Sequence, residues 1–162
     1  MQRFLYFTWL LALSFLPSLA FGGIGDSPSA TSKTYGPPQR GQPNMLNVGG
    51  QHIHYQSAVL NTIIKIEAVF LDRKCVGIRY EAIPLIPDEK MPLTPTIANV
   101  FLEANYGKSN WRLDNTKTSE TGKFIYQEYV HRRFFHTALW DGKSLTIWAK
   151  NGLLNAAQAP LE

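Results

Sequence analysis

The chain has 162 residues, with 16 basic and 12 acidic side chains and a formal net charge of +4 at neutral pH. No run of Lys and Arg is longer than two, so the sequence lacks the clustered positive charge of nucleic-acid-binding proteins, and we expect no nucleic-acid partner. Cys75 is the single cysteine, which excludes an intrachain disulfide and leaves stability to an ordinary hydrophobic core.

Residues 1–22 have the three regions of a secretory signal peptide. Arg3 supplies a positive start, residues 4–16 are mostly apolar, and small residues follow Pro17, so we expect cleavage after Ala20 or Gly22. The apolar run is shorter than the ~20 residues that span a bilayer, and no cysteine stands at the cleavage site. The pattern predicts a secreted or periplasmic protein with no membrane span after cleavage and no lipid anchor.

Residues 23–50 have the composition of a disordered tether. The stretch 26–50 contains four Pro, four Gly and three Ser, without apolar periodicity. Such a segment buries too little apolar surface to offset its ordering entropy. We therefore predict a signal peptide over 1–22, a disordered tether over 23–50 and one folded domain over 51–162.

Two hairpin motifs recur inside that domain. "FLDRKCVGI" (70–78) aligns without gaps against "LWDGKSLTI" (139–147). In the second copy Asp141-Gly142 predicts a two-residue turn between strands, with positive φ at Gly142. In the first copy Arg73 replaces that glycine, and positive φ costs energy for a residue with a Cβ, so a looser turn is expected there.

A helix is predicted after the first hairpin. Thr94 offers an N-cap hydroxyl, Pro95 takes the first helical position and Gly107 can end the helix. Residues 151–160 are a second, shorter helix candidate. Together with the alternating segments, these elements predict a single α+β domain, in which one or two helices pack on one face of a mostly antiparallel twisted sheet.

The helix ends in a motif, L-x-x-N-x-G-x-S-x-W. Its residues are Leu102, Asn105, Gly107, Ser109 and Trp111, and the helix itself follows a hairpin with an Asp-x-Lys-Cys turn. This arrangement resembles a group of small secreted bacterial proteins with no assigned function. The resemblance covers about half of the chain. It implies a similar fold and transfers no functional residues.

The stretch 129–148 contains the second hairpin motif and, before it, two histidines. The predicted turn pairs Trp140 with Lys143 and His136 with Ile147, which places His136 on the apolar face. His131 is five positions away, and an odd separation along a strand points it to the opposite, more polar face. Unless a bulge intervenes, the two imidazoles therefore do not form one site, and we interpret this stretch as structural.

His52 and His54 are two positions apart, so a strand projects both to the same side. This spacing suits Zn²⁺ or Cu²⁺, but a site needs more ligands, which His131 or a carboxylate could provide. A small hydrolase or metal-binding protein that uses His52, His54 and His131 is therefore one alternative. The other interpretation is the polar face of an edge strand.

The sequence contains no G-x-S-x-G, H-E-x-x-H or glycine-rich phosphate loop, so we assign no catalytic residue and no cofactor. Aromatic residues are the remaining candidates, and Trp111, Phe135 and Trp148 are the predicted binding surface. The preferred hypothesis is a non-enzymatic binding protein whose partner is an envelope or extracellular protein. An inhibitor of an envelope enzyme is a further alternative, which would need a contiguous exposed aromatic patch.

Overall fold

The computed structural model describes residues 23–60, 62–84, 92–106 and 110–159. Within these ranges it contains three helices and seven strands. The helices are α1 (Pro28–Tyr35), α2 (Pro95–Ala104) and α3 (Gly152–Gln158), and the strands are β1 (Gln51–Val59), β2 (Thr62–Leu71), β3 (Lys74–Ala82), β4 (Trp111–Thr118), β5 (Phe124–His131), β6 (Thr137–Trp140) and β7 (Ser144–Trp148). The predicted α+β domain with an antiparallel sheet is confirmed.

All seven strands form one antiparallel sheet in the order β1-β2-β3-β7-β6-β5-β4. The first three strands are neighbours in chain order, and so are the last four. The chain passes from the middle of the sheet at β3 to the far edge at β4, with α2 on the way, and returns strand by strand. The pairing of β3 with β7 joins the two halves.

The main core lies between one face of the sheet and the helices α1 and α2. Tyr80 on β3 stacks on Phe101 of α2 with 3.9 Å between ring centroids. The Tyr80 hydroxyl also meets that of Tyr35 from α1 at 2.9 Å. Other buried members of this core are Tyr55, Ile64, Ile66, Ala68, Ile78, Leu93, Ile97, Leu102, Leu145 and Ile147.

Helix α2 begins as the sequence predicts. Thr94 Oγ1 accepts a hydrogen bond from the Ile97 N–H at 3.4 Å, and Pro95 occupies the first turn. The buried face consists of Ile97, Ala98, Phe101 and Leu102. Gly107, the predicted helix stop, lies outside the described residues.

Buried Asn105 ties three parts of the domain together. Its amide donates to the Tyr80 hydroxyl and to the Phe101 carbonyl, both at 2.9 Å, and its Oδ1 accepts from the Ile24 N–H. Its backbone carbonyl accepts from Trp111 Nε1 at 2.7 Å. Two residues of the L-x-x-N-x-G-x-S-x-W motif thus meet directly, and both serve packing.

The segment 23–50 is a correction to the sequence prediction, because it is packed against the domain and is not a free tether. Ser27 caps α1 and Pro28 takes its first turn. Ile24 and Tyr35 are buried in the main core. The Gly25 N–H also donates to the Cys75 carbonyl at 2.8 Å. Composition alone misses this, since two large anchors and a helix cap are enough to order a polar segment.

Both hairpin motifs form two-residue turns, but with tips one position apart. In the first, Leu71 pairs with Lys74, so Asp72 and Arg73 form the tip with φ of 48° and 62°, as in type I′ turns. The looser turn expected there is therefore wrong.

In the second hairpin Trp140 pairs with Leu145 and not with Lys143, so the tip is Gly142-Lys143. The Asp141 N–H donates to the Ser144 carbonyl at 3.1 Å. Gly142 has the expected positive φ, 83°. The register differs from the prediction by two residues, which leaves every side chain of β6 and β7 on its predicted face.

Candidate functional site

The second face of the sheet carries polar side chains at one side and an apolar pocket at the other. One cross-strand row contains His54, Glu67, Arg79, Thr146, Leu139 and Glu128. The residues that alternate with them face the main core. This second face of the sheet is therefore partly polar, whereas the centre of the face toward the main core is apolar.

Part of this second face is covered by a small apolar layer. Trp148 packs with Val69 and with Ala156 of α3, and Leu46 and Val48 of the N-terminal segment lie against them. The Gly49 N–H donates to the Ala156 carbonyl at 2.8 Å, which joins the segment to α3.

Two glycines allow this layer to form. A Cβ on Gly77 would overlap the Trp148 indole ring, and a Cβ on Gly152 would approach the Val76 carbonyl. Trp148 therefore lies flat over β3, and α3 begins directly against the sheet.

Beside the layer is an open pocket with a volume of about 330 Å³. Its apolar walls are Leu46, Val48, Ala138, Leu139, Trp148 and Leu153, and its polar residues are Glu128, Thr137 and Thr146. Leu139 and Leu153 are 40% and 50% exposed, so a ligand can reach both. Pockets of this size with apolar walls and a few polar groups are typical ligand sites.

The fully buried Glu67 binds His52. His52 Nδ1 lies 2.7 Å from Glu67 Oε1, and His52 Nε2 lies 2.9 Å from the Val48 carbonyl oxygen. A carbonyl only accepts, so Nε2 donates to it, and a second hydrogen bond joins Nδ1 to the Glu67 carboxyl group. Glu67 Oε2 accepts from the Met45 N–H at 3.0 Å. The pair thus fastens the segment around residues 45–48, which forms one wall of the pocket.

His52, His54 and His131 do not form a common metal site. His52 has no ring nitrogen free, and His54 Nε2 lies 3.1 Å from Asn44 Oδ1. Four strands separate β1 from β5, and at strand spacing this places His131 about 24 Å away. No group of three His, Cys, Asp or Glu among the described residues is arranged to hold a metal ion.

His131 and His136, by contrast, lie together. Their ring centroids are 6.0 Å apart, and the rings of Tyr106 and Phe134 contact both. The prediction that they point to opposite faces is wrong, because the chain turns between them. The His131 N–H donates to the His136 carbonyl at 2.8 Å across this turn.

His131 is 1% exposed and lies on the core side of the sheet, not on the polar face expected for it. Its Nδ1 accepts from the N–H groups of Arg133 and Phe134, which places the ring proton on Nε2. His136 Nδ1 accepts from the Lys150 N–H at 3.0 Å. Both imidazoles therefore act as neutral acceptors for the backbone.

Burial lowers the pKa of His131, of His136 and of His54. For His136 the neighbouring His131 lowers the pKa further. For His131 and His136 the lowered pKa favours the neutral form, in which Nδ1 can accept the backbone hydrogen bonds.

The predicted aromatic surface is only partly exposed. Trp111 and Trp148 are buried, on opposite faces of the sheet, whereas Phe135 is 59% exposed. These three rings do not form a contiguous patch, so the geometry gives no support to the inhibitor alternative. Trp148 does contribute to the pocket wall.

Cys75 is buried in the main core, where its Sγ donates to the Gly77 carbonyl at 3.3 Å. Burial raises the pKa of the thiol to about 12, so it stays protonated and unreactive at physiological pH.

The sheet pocket and its supporting pair could be found only in part from sequence. Glu67 has a recognisable signal, since it is a single carboxylate in the apolar stretch "TIIKIEAVF" and requires a buried partner. Leu139 and Leu153 have none, because isolated leucines do not indicate a pocket.

Comparison with known proteins gives no further assignment, since no family model, curated protein or solved structure matches the chain. Among the described residues no helix combines the length and the apolar character needed to cross a membrane.

Proposed function

We propose that this protein is a non-enzymatic binding domain of the periplasm or the extracellular space, and that the sheet pocket takes an apolar group of its ligand. The single observation that carries the proposal is this pocket, with exposed leucines on its walls and three polar residues among them. The location rests on the signal-peptide pattern of residues 1–22.

The chemistry of the walls defines the ligand class. Leucine, valine and tryptophan favour an aliphatic or aromatic group, because its transfer from water is favourable. The Glu128 carboxylate accepts hydrogen bonds, and the hydroxyls of Thr137 and Thr146 both donate and accept. The ligand is therefore an apolar group with a donor at one end, such as a side chain of an envelope protein.

A non-enzymatic role agrees with the state of the reactive side chains. Both ring nitrogens of His52 are engaged in hydrogen bonds. Nδ1 of His131 and Nδ1 of His136 accept hydrogen bonds from backbone N–H groups. The Cys75 thiol has a pKa of about 12. A nucleophile needs an adjacent base and a lowered pKa. These groups serve the fold.

Fluorescence titration with the neutral apolar dye N-phenylnaphthylamine tests the pocket. Purified protein should enhance the fluorescence of the dye with saturation. Leu153→Lys replaces apolar surface of the pocket wall by a charged side chain and should weaken binding of this neutral dye by about tenfold or more, since the dye then gains less from leaving water.

Leu154→Lys is the matched control, because Leu154 lies on the same helix, is 59% exposed and does not line the pocket. Binding by this variant should equal that of the unmodified chain. Equal weakening by both substitutions, or no saturable binding, contradicts the proposed pocket.

A further inference from the structure

The turn between β5 and β6 exposes two adjacent aromatic residues. Phe134 is 41% exposed and Phe135 is 59% exposed. They stand in a turn whose residues 132–135 are all exposed, at the end of a strand pair. The exposure of two neighbouring apolar rings to water is unfavourable, and their burial against another surface lowers the free energy.

Phe135 also has an unfavourable backbone conformation. Its φ is 56°, a value that is uncommon outside Gly, Asn and Asp and is an outlier for a bulky side chain. Such outliers persist only where the surroundings enforce them, and they concentrate at functional sites. Glycine or asparagine would fit this turn with less strain, so the local backbone does not favour a phenylalanine here.

Positive charges surround the two rings. Lys150 Nζ lies 5.4 Å from the centroid of the Phe135 ring, and the Arg133 guanidinium lies 5.4 Å from that of Phe134. Arg112 and Arg132 line a shallow pocket of about 140 Å³ together with Phe135, and none of the described residues of its lining is acidic.

Among the described residues, few acidic side chains neutralise these cations. Arg112 pairs with Asp114 at 2.8 Å. The other three cations, Arg132, Arg133 and Lys150, form no salt bridge with any described residue. The turn thus presents two exposed phenylalanine rings, and the three cations around them form no salt bridge with the described residues.

We propose that this basic aromatic turn, defined by Arg132, Arg133, Phe134, Phe135 and Lys150, docks on the surface of a bilayer that contains anionic phospholipids. The phenylalanine rings enter the boundary between headgroups and acyl chains, and the cations contact the lipid phosphates. Basic residues around exposed aromatic residues are typical of interfacial membrane binding.

The proposal concerns a surface distinct from the sheet pocket. The pocket lies on the second face of the sheet, whereas the His131 side chain packs the base of the turn from the core side. Free phosphate or an acidic peptide could satisfy the cations, but neither accounts for two exposed rings on a strained turn. A bilayer surface offers phosphates to the cations and an apolar layer to the phenylalanine rings.

Vesicle co-sedimentation tests the proposal with the chain that begins at Gly23, which contains every described element and lacks the apolar stretch of residues 4–16. Vesicles of equal parts phosphatidylglycerol and phosphatidylcholine should bind the protein about tenfold or more tightly than phosphatidylcholine alone. Added inorganic phosphate should not displace the protein at constant ionic strength.

Two variants assign the binding to the turn. Phe135→Ser should weaken binding to the anionic vesicles several-fold, and Arg132→Gln with Arg133→Gln should weaken it by roughly tenfold or more. The matched control is Lys123→Gln with Lys143→Gln, which removes two exposed cations at another end of the sheet and should leave binding almost unchanged. Circular dichroism establishes that each variant is folded.

The proposal is overturned if the protein binds both kinds of vesicle equally or binds neither. It is also overturned if the lysine pair matters as much as the arginine pair, because binding then reflects net charge alone. Displacement by free phosphate would overturn it in favour of a soluble anion.

Discussion

Two turns of the sheet use the same hydrogen-bond pattern with different chemistry. In the turn after β5, His131 Nδ1 accepts from the N–H groups two and three residues later, at 3.3 and 3.1 Å. In the turn after β6, Asp141 Oδ1 accepts from the N–H groups two and three residues later, at 2.9 and 2.7 Å. One acceptor is a buried neutral imidazole and the other is an exposed carboxylate.

The comparison shows that the same hydrogen-bond geometry contributes more to stability around a buried acceptor than around an exposed one. Water can replace the Asp141 carboxylate, because this turn is open to solvent. Around His131 the rings of Tyr106, Trp111 and Phe134 exclude water, so the loss of the acceptor leaves backbone N–H groups unsatisfied. The turn that depends on the buried His131 side chain should therefore tolerate less change.

The largest expected effect is that of His131→Ala. It removes the acceptor of two N–H groups and leaves a cavity in the aromatic cluster, so the free energy of unfolding should fall by about 3 kcal/mol. Urea unfolding measures this value, with His136→Ala as the companion variant and a smaller expected loss. A smaller effect for His131→Ala than for Asp141→Ala would refute the ranking.

Acid should weaken the turn around His131 without any substitution. Burial lowers the pKa of His131 in the folded state, so at acidic pH the unfolded chain takes up the proton first. Stability is therefore complete above about pH 6.5 and decreases as the pH falls through the lowered pKa. Thermal unfolding between pH 7.5 and 5 measures this decrease, and His131→Gln should make the profile less steep, with His54 and His136 responsible for the rest.

A smaller effect is expected from Gly142→Val at the exposed turn. The φ of 83° strains a β-branched side chain, so the substitution should cost about 1–3 kcal/mol. Gly142→Asn is the control, because asparagine tolerates positive φ, and it should retain most of the stability in the same unfolding experiment. Equal losses for both variants would mean that backbone strain is not the cause.

The smallest effect is that of Asp141→Ala. The variant loses hydrogen bonds from the Lys143 N–H, from the Ser144 N–H and from the Ser144 hydroxyl, and water can take the place of the exposed carboxylate. We expect a loss of about 1 kcal/mol by urea unfolding. Asp141→Asn keeps Oδ1 and should lose less than Asp141→Ala.

The fold was predictable because alternation and turn chemistry act locally. Apolar residues at every second position identify the core face of β7, where Leu145 and Ile147 are fully buried. The register of the β6–β7 hairpin was predicted two residues away from the observed one. A two-residue shift keeps each side chain on its face, so the error did not change the core.

The site was less predictable because it depends on contacts between distant segments. Side chains alternate between the two faces only within a strand, and β5 ends at His131. Nothing in the local sequence shows that the chain then turns and brings His136 back beside His131. The pairing of Glu67 with His52 likewise depends on the register of β1 with β2. Arg73 shows the converse, since neighbouring strands enforce a turn that its own conformational preference disfavours.

Strand β4 has a consequence for the behaviour of the protein at high concentration. It is the last strand of the sheet, all its residues after Trp111 are exposed, and its outer edge could template a strand from another molecule. Its pairing with β5 is irregular at Leu113/Asn115 and at Lys117/Thr118, and it carries the charges of Arg112, Asp114 and Lys117. Interrupted pairing and edge charges both oppose intermolecular sheet growth, so this edge resists fibril formation while the domain is folded.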